Sequence, residues 1–193
     1  AVSSFLLRND TQNGRVKFTD ATTQLAADLH TIGLVTDALW TDADADGWQD
    51  LLLVGEWMPP TLLKNEKGRL SRVDCGLSGH VGWWNSLVAG DFDNDGDVDF
   101  IAGNLGLNTF NRASADQPIG IYAKDFNDDG YFDAIPTAYF KAEDGRMKEF
   151  PYNTRDDMAN QLIQAKQRFP EHSRYARAGI AEILLPEELK GAV

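Results

Sequence analysis

Three aspartate-rich segments of one pattern constrain this chain more than any other feature. They read Asp42-Ala43-Asp44-Ala45-Asp46-Gly47-Trp48-Gln49-Asp50, then Asp91-Phe92-Asp93-Asn94-Asp95-Gly96-Asp97-Val98-Asp99, then Asp125-Phe126-Asn127-Asp128-Asp129-Gly130-Tyr131-Phe132-Asp133. Each sets side-chain oxygens at its first, third, fifth and ninth positions around a glycine at the sixth. A hard cation such as Ca2+ takes about 6 to 8 oxygen ligands, and alternate residues of a tight loop can turn their carboxylates inward to supply them. Glycine permits the sharp turn because it takes positive φ without a Cβ penalty. The seventh residue, Trp48, Asp97 or Tyr131, is expected to offer its backbone carbonyl, which leaves its side chain free to vary. The pattern predicts up to three bound Ca2+ ions.

An EF-hand begins with the same Asp-x-Asp-x-Asp-Gly run but closes with a bidentate Glu at the twelfth position. That position is Leu53, Ala102 and Pro136 here, so the ninth-position Asp has to close each loop instead. The flanks read as strands rather than helices, being short apolar runs bounded by turn residues. Residues 35–40, 87–89 and 119–123 lead in, and residues 51–54, 100–102 and 134–135 lead out.

The charge agrees with metal ligation. The chain carries 30 acidic and 18 basic residues, a formal charge of −12, and eleven of the acidic side chains stand at the ligand positions of the loops. Without metal these carboxylates repel one another at short range. An acidic chain of this kind also lacks the basic patch that nucleic acid requires.

The loops sit inside a longer repeat. Leu6-Leu7-Arg8-Asn9 recurs as Leu62-Leu63-Lys64-Asn65, and a Gly-Arg-apolar turn appears at Gly14, Gly68 and Gly145, each expected to be the tip of a β-hairpin. Several short strands in units of about 40 to 50 residues indicate propeller blades or a related array, in which no unit buries its faces alone. The expected fold is mainly β, a partial β-propeller of antiparallel blades over residues 1–150, followed by a C-terminal α-helical segment over residues 151–193.

The run from Leu6 through Phe18-Thr19-Asp20-Ala21-Thr22 to Asp50 resembles the FG-GAP or VCBS repeat of integrin-α-type β-propellers and of many secreted bacterial proteins. The resemblance covers roughly residues 1–150, and its specific part is the Asp-rich loop. It implies calcium held between the strands of a blade, with Asp42, Asp44, Asp46 and Asp50 as one site. Asp91, Asp93, Asp95 and Asp99 form the second, and Asp125, Asn127, Asp129 and Asp133 the third. Two departures stand beside it: the step from residue 91 to residue 125 is shorter than a full blade, and no Phe-Gly-Gly-Ala-Pro-like signature is present. Residue 1 falls directly inside a hairpin whose own calcium loop would lie upstream, and the blades are too few to close a ring of about 4 to 8. The chain therefore reads as part of a larger protein.

Beyond residue 150 the pattern changes. Thr154 with Asp157 makes a helix start, and Met158, Leu162, Ala165 and Phe169 follow at helical spacing up to Pro170. Further short helices are expected over residues 173–178 and from Pro186, the whole being an insertion between blades or a cap on an open β edge. Arg155, Lys166, Arg168, Arg174 and Arg177 are read as a solvated, mildly basic helix face.

Little else suggests chemistry. His30, His80 and His172 lack metal spacing, Ser78 is not in a nucleophile elbow, and no catalytic residue is assigned. Cys75 and Trp40 are expected in the core, and Trp57, Trp83 and Trp84 are read first as packing residues near turns. No apolar run approaches the 18 residues a membrane helix needs, so no membrane insertion is expected. Calcium loops of this kind are filled where the ion reaches about 10⁻⁴ to 10⁻³ M, which points to an extracellular, cell-surface or periplasmic location. Two functions follow: a calcium-stabilised binding or adhesion module for a protein or glycan, or a non-catalytic scaffold in a secreted polysaccharide-active enzyme. Self-association through open propeller edges is a further expectation.

Overall fold

The computed structural model describes residues 3–192, so Ala1, Val2 and Val193, at the ends of the two sequence segments, lie outside the described residues. The chain divides into two compact units, Ala1–Asn108 and Thr109–Val193. Strands dominate the first unit, the second combines a small sheet with a run of short helices, and all the strand pairings are antiparallel.

The first unit opens with a small hairpin of β1 (Leu7–Asn9) and β2 (Phe18–Asp20). Its tip bends at Asn13 and Gly14, with φ of 50° and 76°, and the Arg15 amide donates to the Gln12 carbonyl at 2.9 Å. A short helix α1 (Thr22–Leu25) and a 3-10 turn (Ala27–Leu29) follow, neither of which the sequence pattern announces. Then come β3 (Leu34–Thr41), β4 (Asp50–Met58), β5 (Thr61–Glu66) and β6 (Arg69–Val73), a four-stranded meander. Lys67 and Gly68 take the left-handed conformations of its β5–β6 turn, as the Gly-Arg signature predicts.

β4 is the central strand. Its residues Leu51, Leu52, Leu53 and Val54 are all buried, which means that both faces of the strand are covered. Leu51 and Leu53 join Leu63, Leu70, Ala26 and Leu29 in one core cluster, with Leu6, Ile32 and Val35 at its margin. A second pairing carries the sheet onward: β4 meets β7 (Gly82–Gly90) at Glu56↔Trp83, and β7 pairs with β8 (Asp99–Asn104). A bulge at Thr36 lets β3 reach β7 directly, because the Thr36 hydroxyl donates to the Trp84 carbonyl at 2.7 Å and Asp37 accepts from the Leu87 amide at 2.8 Å.

The second unit contains a three-stranded sheet of β9 (Gly120–Lys124), β10 (Asp133–Lys141) and β11 (Met147–Pro151). Ile135 of this sheet packs into a core formed by Met158, Leu162, Ala165, Phe169, Tyr175, Ala178, Ile180, Ile183 and Leu184. The periodic residues of the sequence pattern are thus the ones the helices bury. Thr154 caps α2 (Arg155–Gln161) with the expected reciprocal pair of bonds: the Asp157 amide donates to Thr154 Oγ1 and the Thr154 amide to Asp157 Oδ2, both at 3.2 Å. The helix does not run unbroken to Phe169. Leu162 is extended, with φ −138° and ψ 92°, and separates α2 from α3 (Ile163–Arg168). Three single-turn helices follow, α4 (His172–Tyr175), α5 (Ile180–Ile183) and α6 (Pro186–Leu189), the last with proline in its first turn.

The basic helix face is corrected in part. Arg155 is buried, and its guanidinium donates to the carbonyls of Phe169 at 2.6 Å and Pro170 at 3.0 Å, tying the end of α3 back to the start of α2. Arg168 is clasped by Glu188 at 2.8 and 2.9 Å. These arginines fasten the helical segment together rather than facing solvent. Trp40, at 49% exposure, and Cys75 also lie on the surface instead of in the core, since β3 alternates its faces and Cys75 falls in the loop after β6. Trp57 and Trp83 do pack, edge to face with ring centroids 5.3 Å apart.

Candidate metal loops

Each Asp-rich loop links the two strands of an antiparallel pair in the same register. Loop 1 joins β3 to β4 above the Thr41↔Asp50 rung, loop 2 joins β7 to β8 above Gly90↔Asp99, and loop 3 joins β9 to β10 above Lys124↔Asp133. The ninth-position aspartate is therefore the first residue of the outgoing strand in every case. The strand ladder fixes its backbone, and its side chain turns back over the loop.

The internal bonding repeats as closely. The first-position carboxylates Asp42, Asp91 and Asp125 each accept from two amides. One bond comes from the fifth residue (3.0, 3.1 and 3.0 Å), the other from the glycine at the sixth (2.9, 3.0 and 2.8 Å). The fifth-position carboxylates Asp46, Asp95 and Asp129 each accept from the amide of the seventh residue, Trp48, Asp97 or Tyr131, at 2.9 Å. The ninth-position carboxylates Asp50, Asp99 and Asp133 accept from the second-position amides of Ala43, Phe92 and Phe126 at 3.1, 2.9 and 3.1 Å. Two residues of each loop take positive φ: the fourth (Ala45 57°, Asn94 63°, Asp128 59°) and the glycine at the sixth (87°, 95° and 90°). The left-handed fourth position costs a side chain little when it is Asn or Asp, and the steeper sixth favours glycine.

This bonding leaves the donor set suited to a hard cation. Each carboxylate oxygen has two lone pairs, so an oxygen that accepts one amide can still ligate a metal. In loop 1 ligand oxygens of Asp42, Asp44 and Asp50 all lie within 4.8 Å of one another, and Asp91, Asp93 and Asp99 do the same in loop 2. Among the described residues these are the two groups of three acidic, histidine or cysteine side chains that converge so closely, and none of His30, His80 or His172 belongs to either. Loop 3 has the amide of Asn127 at its third position. That amide accepts from the Asp129 amide at 3.0 Å and donates to the Asp129 carboxylate at 3.1 Å. Closely placed carboxylates, oxygen-only donors and a glycine turn could hold a hard metal cation.

Loop 1 has partners that the Asp pattern does not reveal. They come from Leu62-Leu63-Lys64-Asn65, noted in the sequence only as a repeat. The Asn65 amide donates to the second oxygen of Asp50 at 2.7 Å, and the Asn65 side chain donates to the Gln49 carbonyl at 2.8 Å. Asp50, only 1% exposed, is thereby satisfied on both oxygens. Lys64 forms an ion pair with Asp44 and stands 3.7 Å from Asp46. Its hydrogen bond holds the Asp44 carboxyl below the usual carboxylate range, and the same bond raises the lysine above its own ordinary value.

Residues 42–102, which run from the start of loop 1 through β4–β7 and loop 2 into β8, match the family model of the FG-GAP-like repeat. No curated protein and no solved structure matches the chain.

Proposed function

We propose that this chain is a calcium-binding β-propeller segment of a secreted or cell-surface protein, and that it acts as a binding or adhesion module for a protein or glycan. The observation that carries the reading is the threefold recurrence of one loop, down to the same carboxylate-to-amide bonds, at the same rung of three antiparallel strand pairs. Acidic turns that were only solvated surface would have no reason to share it. The FG-GAP-like match over two of the loops supports the propeller architecture, and VCBS-type repeats of the secreted bacterial kind are the form we infer.

In this reading Asp42, Asp44, Asp46 and Asp50 hold one ion, with Asp91, Asp93, Asp95 and Asp99 holding the second. Asp125, Asn127, Asp129 and Asp133 hold the third, and the carbonyls of Trp48, Asp97 and Tyr131 are offered as well. Calcium neutralises the clustered carboxylates and stiffens the turns, and its work is structural. Among the described residues no helix is long and apolar enough to cross a membrane. β6 and β8 stand at the two ends of the first unit's sheet order; the Arg72 amide of β6 is taken by Asp28 at 3.0 Å, which leaves β8 as the edge for pairing with another strand or a second copy.

A glycan array and a panel of extracellular proteins, probed in calcium and again in EDTA, test the partner. Retention in calcium, loss in EDTA and no release of cleaved sugar is the expected outcome. Cleavage of a bound polysaccharide would instead favour a scaffold role in a degradative enzyme.

A further inference from the structure

Lys64 distinguishes loop 1 from its two counterparts. It reaches the loop from β5, where it pairs with Ser71 across the β5–β6 ladder. Its neighbours hold it in place: Leu63 is fully buried, and Asn65 is bonded through its amide to Asp50 and through its side chain to Gln49. The lysine is therefore anchored beside the loop, with its side chain about one-third exposed, and its ammonium lies against the third- and fifth-position carboxylates Asp44 and Asp46. Asp44 is one of the three loop 1 residues whose oxygens converge. Among the described residues no lysine pairs with a carboxylate of loop 2 or loop 3. Lys148 pairs with Glu182, and Lys124 donates to the carbonyls of Glu188 and Lys190.

From this arrangement, and resting on the calcium reading of the loops, we infer that Lys64 is a tethered counter-cation that competes with calcium for loop 1. The ammonium neutralises part of the carboxylate cluster when the metal is absent, which keeps the loop formed. A calcium ion entering the same oxygens meets a positive charge that must withdraw into solvent. The repulsion between a monovalent and a divalent cation a few ångströms apart is enough to weaken a site on the order of tenfold even with water nearby. Loop 2, built on the same backbone without the lysine, is the tighter site. The chain then fills its loops in sequence as calcium rises.

The seventh-position Trp48 gives loop 1 its own optical reporter, since an indole beside a bound Tb3+ sensitises the ion's luminescence. The experiment titrates Tb3+, and then Ca2+ in competition, into the full chain and into the variants Lys64→Met, Lys64→Gln and Lys64→Arg. Trp48→Phe identifies the part of the signal that belongs to loop 1, and circular dichroism shows that each variant is folded. Removing the charge with Met or Gln is expected to tighten loop 1 for calcium by about tenfold, and Arg, which keeps the charge, to leave it within about twofold of the native protein. Tb3+ and Ca2+ binding at loop 1 with an affinity that is unchanged or lower in both neutral variants would overturn the role of Lys64 while leaving the calcium loops intact. Absence of Tb3+ and Ca2+ binding to every protein in the series would overturn the calcium reading itself, and this inference with it.

Discussion

Replacing Asp50 with alanine should destabilise the first unit by about 3 kcal/mol, well beyond the effect of the same change at Asp99. The two residues hold the same loop position, so their difference reports burial together with the second amide bond of Asp50. Asp50 is 1% exposed and accepts from two amides, that of Ala43 at 3.1 Å and that of Asn65 at 2.7 Å. Hydrogen bonds to a charged group are worth about 1.5 to 3 kcal/mol each, and a buried amide left unpaired adds a penalty of its own. Asp99 is half-buried and accepts from the Phe92 amide at 2.9 Å, and water can replace it there. Urea unfolding of both variants in EDTA, with no metal on either, checks the order. Equal losses would mean that the Asn65 bond contributes nothing, and that β5 does not brace loop 1.

The second large effect is steric. Gly55 lies in β4 opposite Val35, and a methyl group at that position would collide with the carbonyl of Leu34, its carbon at 2.7 Å, and with the sulfur of Met58, also at 2.7 Å. Backbone cannot yield as a flexible side chain does, so β3 would have to separate from β4 next to the bulge at Thr36. Gly55→Ala is expected to cost about 3 kcal/mol or more, at the upper end of overpacking changes. Gly68→Ala provides the contrast. That glycine has φ of 94° but nothing within 4 Å of the added methyl, so its cost is conformational and closer to about 1 kcal/mol. Urea midpoints for the two variants separate the causes, and a Gly55→Ala protein as stable as Gly68→Ala would contradict the β3–β4 register.

The features legible in the sequence are those fixed by local chemistry. Oxygen side chains at alternate positions around a glycine define the Asp loops, and the strands on either side follow from short apolar runs. Gly14, Gly68 and Gly145 do take positive φ at hairpin turns, and Thr154 with Asp157 does cap a helix. What escaped depends on distant partners. Trp40 and Cys75 are apolar enough for a core, but their exposure is set by which face of β3 is covered and by where the chain leaves β6. Arg155 is charged, yet the carbonyls of Phe169 and Pro170 take it into the interior. Lys64 and Asn65 join loop 1 only because β5 pairs with β4, and the sequence carries them as a repeated Leu-Leu-basic-Asn motif with no sign of what they touch. The four-residue helices α1 and α5 are too short to show a periodicity.

The central claim is that three loops of one design hold calcium, and the count of bound ions tests it most directly. Equilibrium dialysis of the metal-free chain against millimolar calcium, with magnesium in a parallel cell, measures that number. The expected result is three calcium ions per chain, falling to two when Asp91 is replaced by alanine, with little magnesium retained. A chain that binds no calcium, or takes up both ions alike without a defined number, would reduce the loops to acidic turns and remove the basis for a calcium-dependent module.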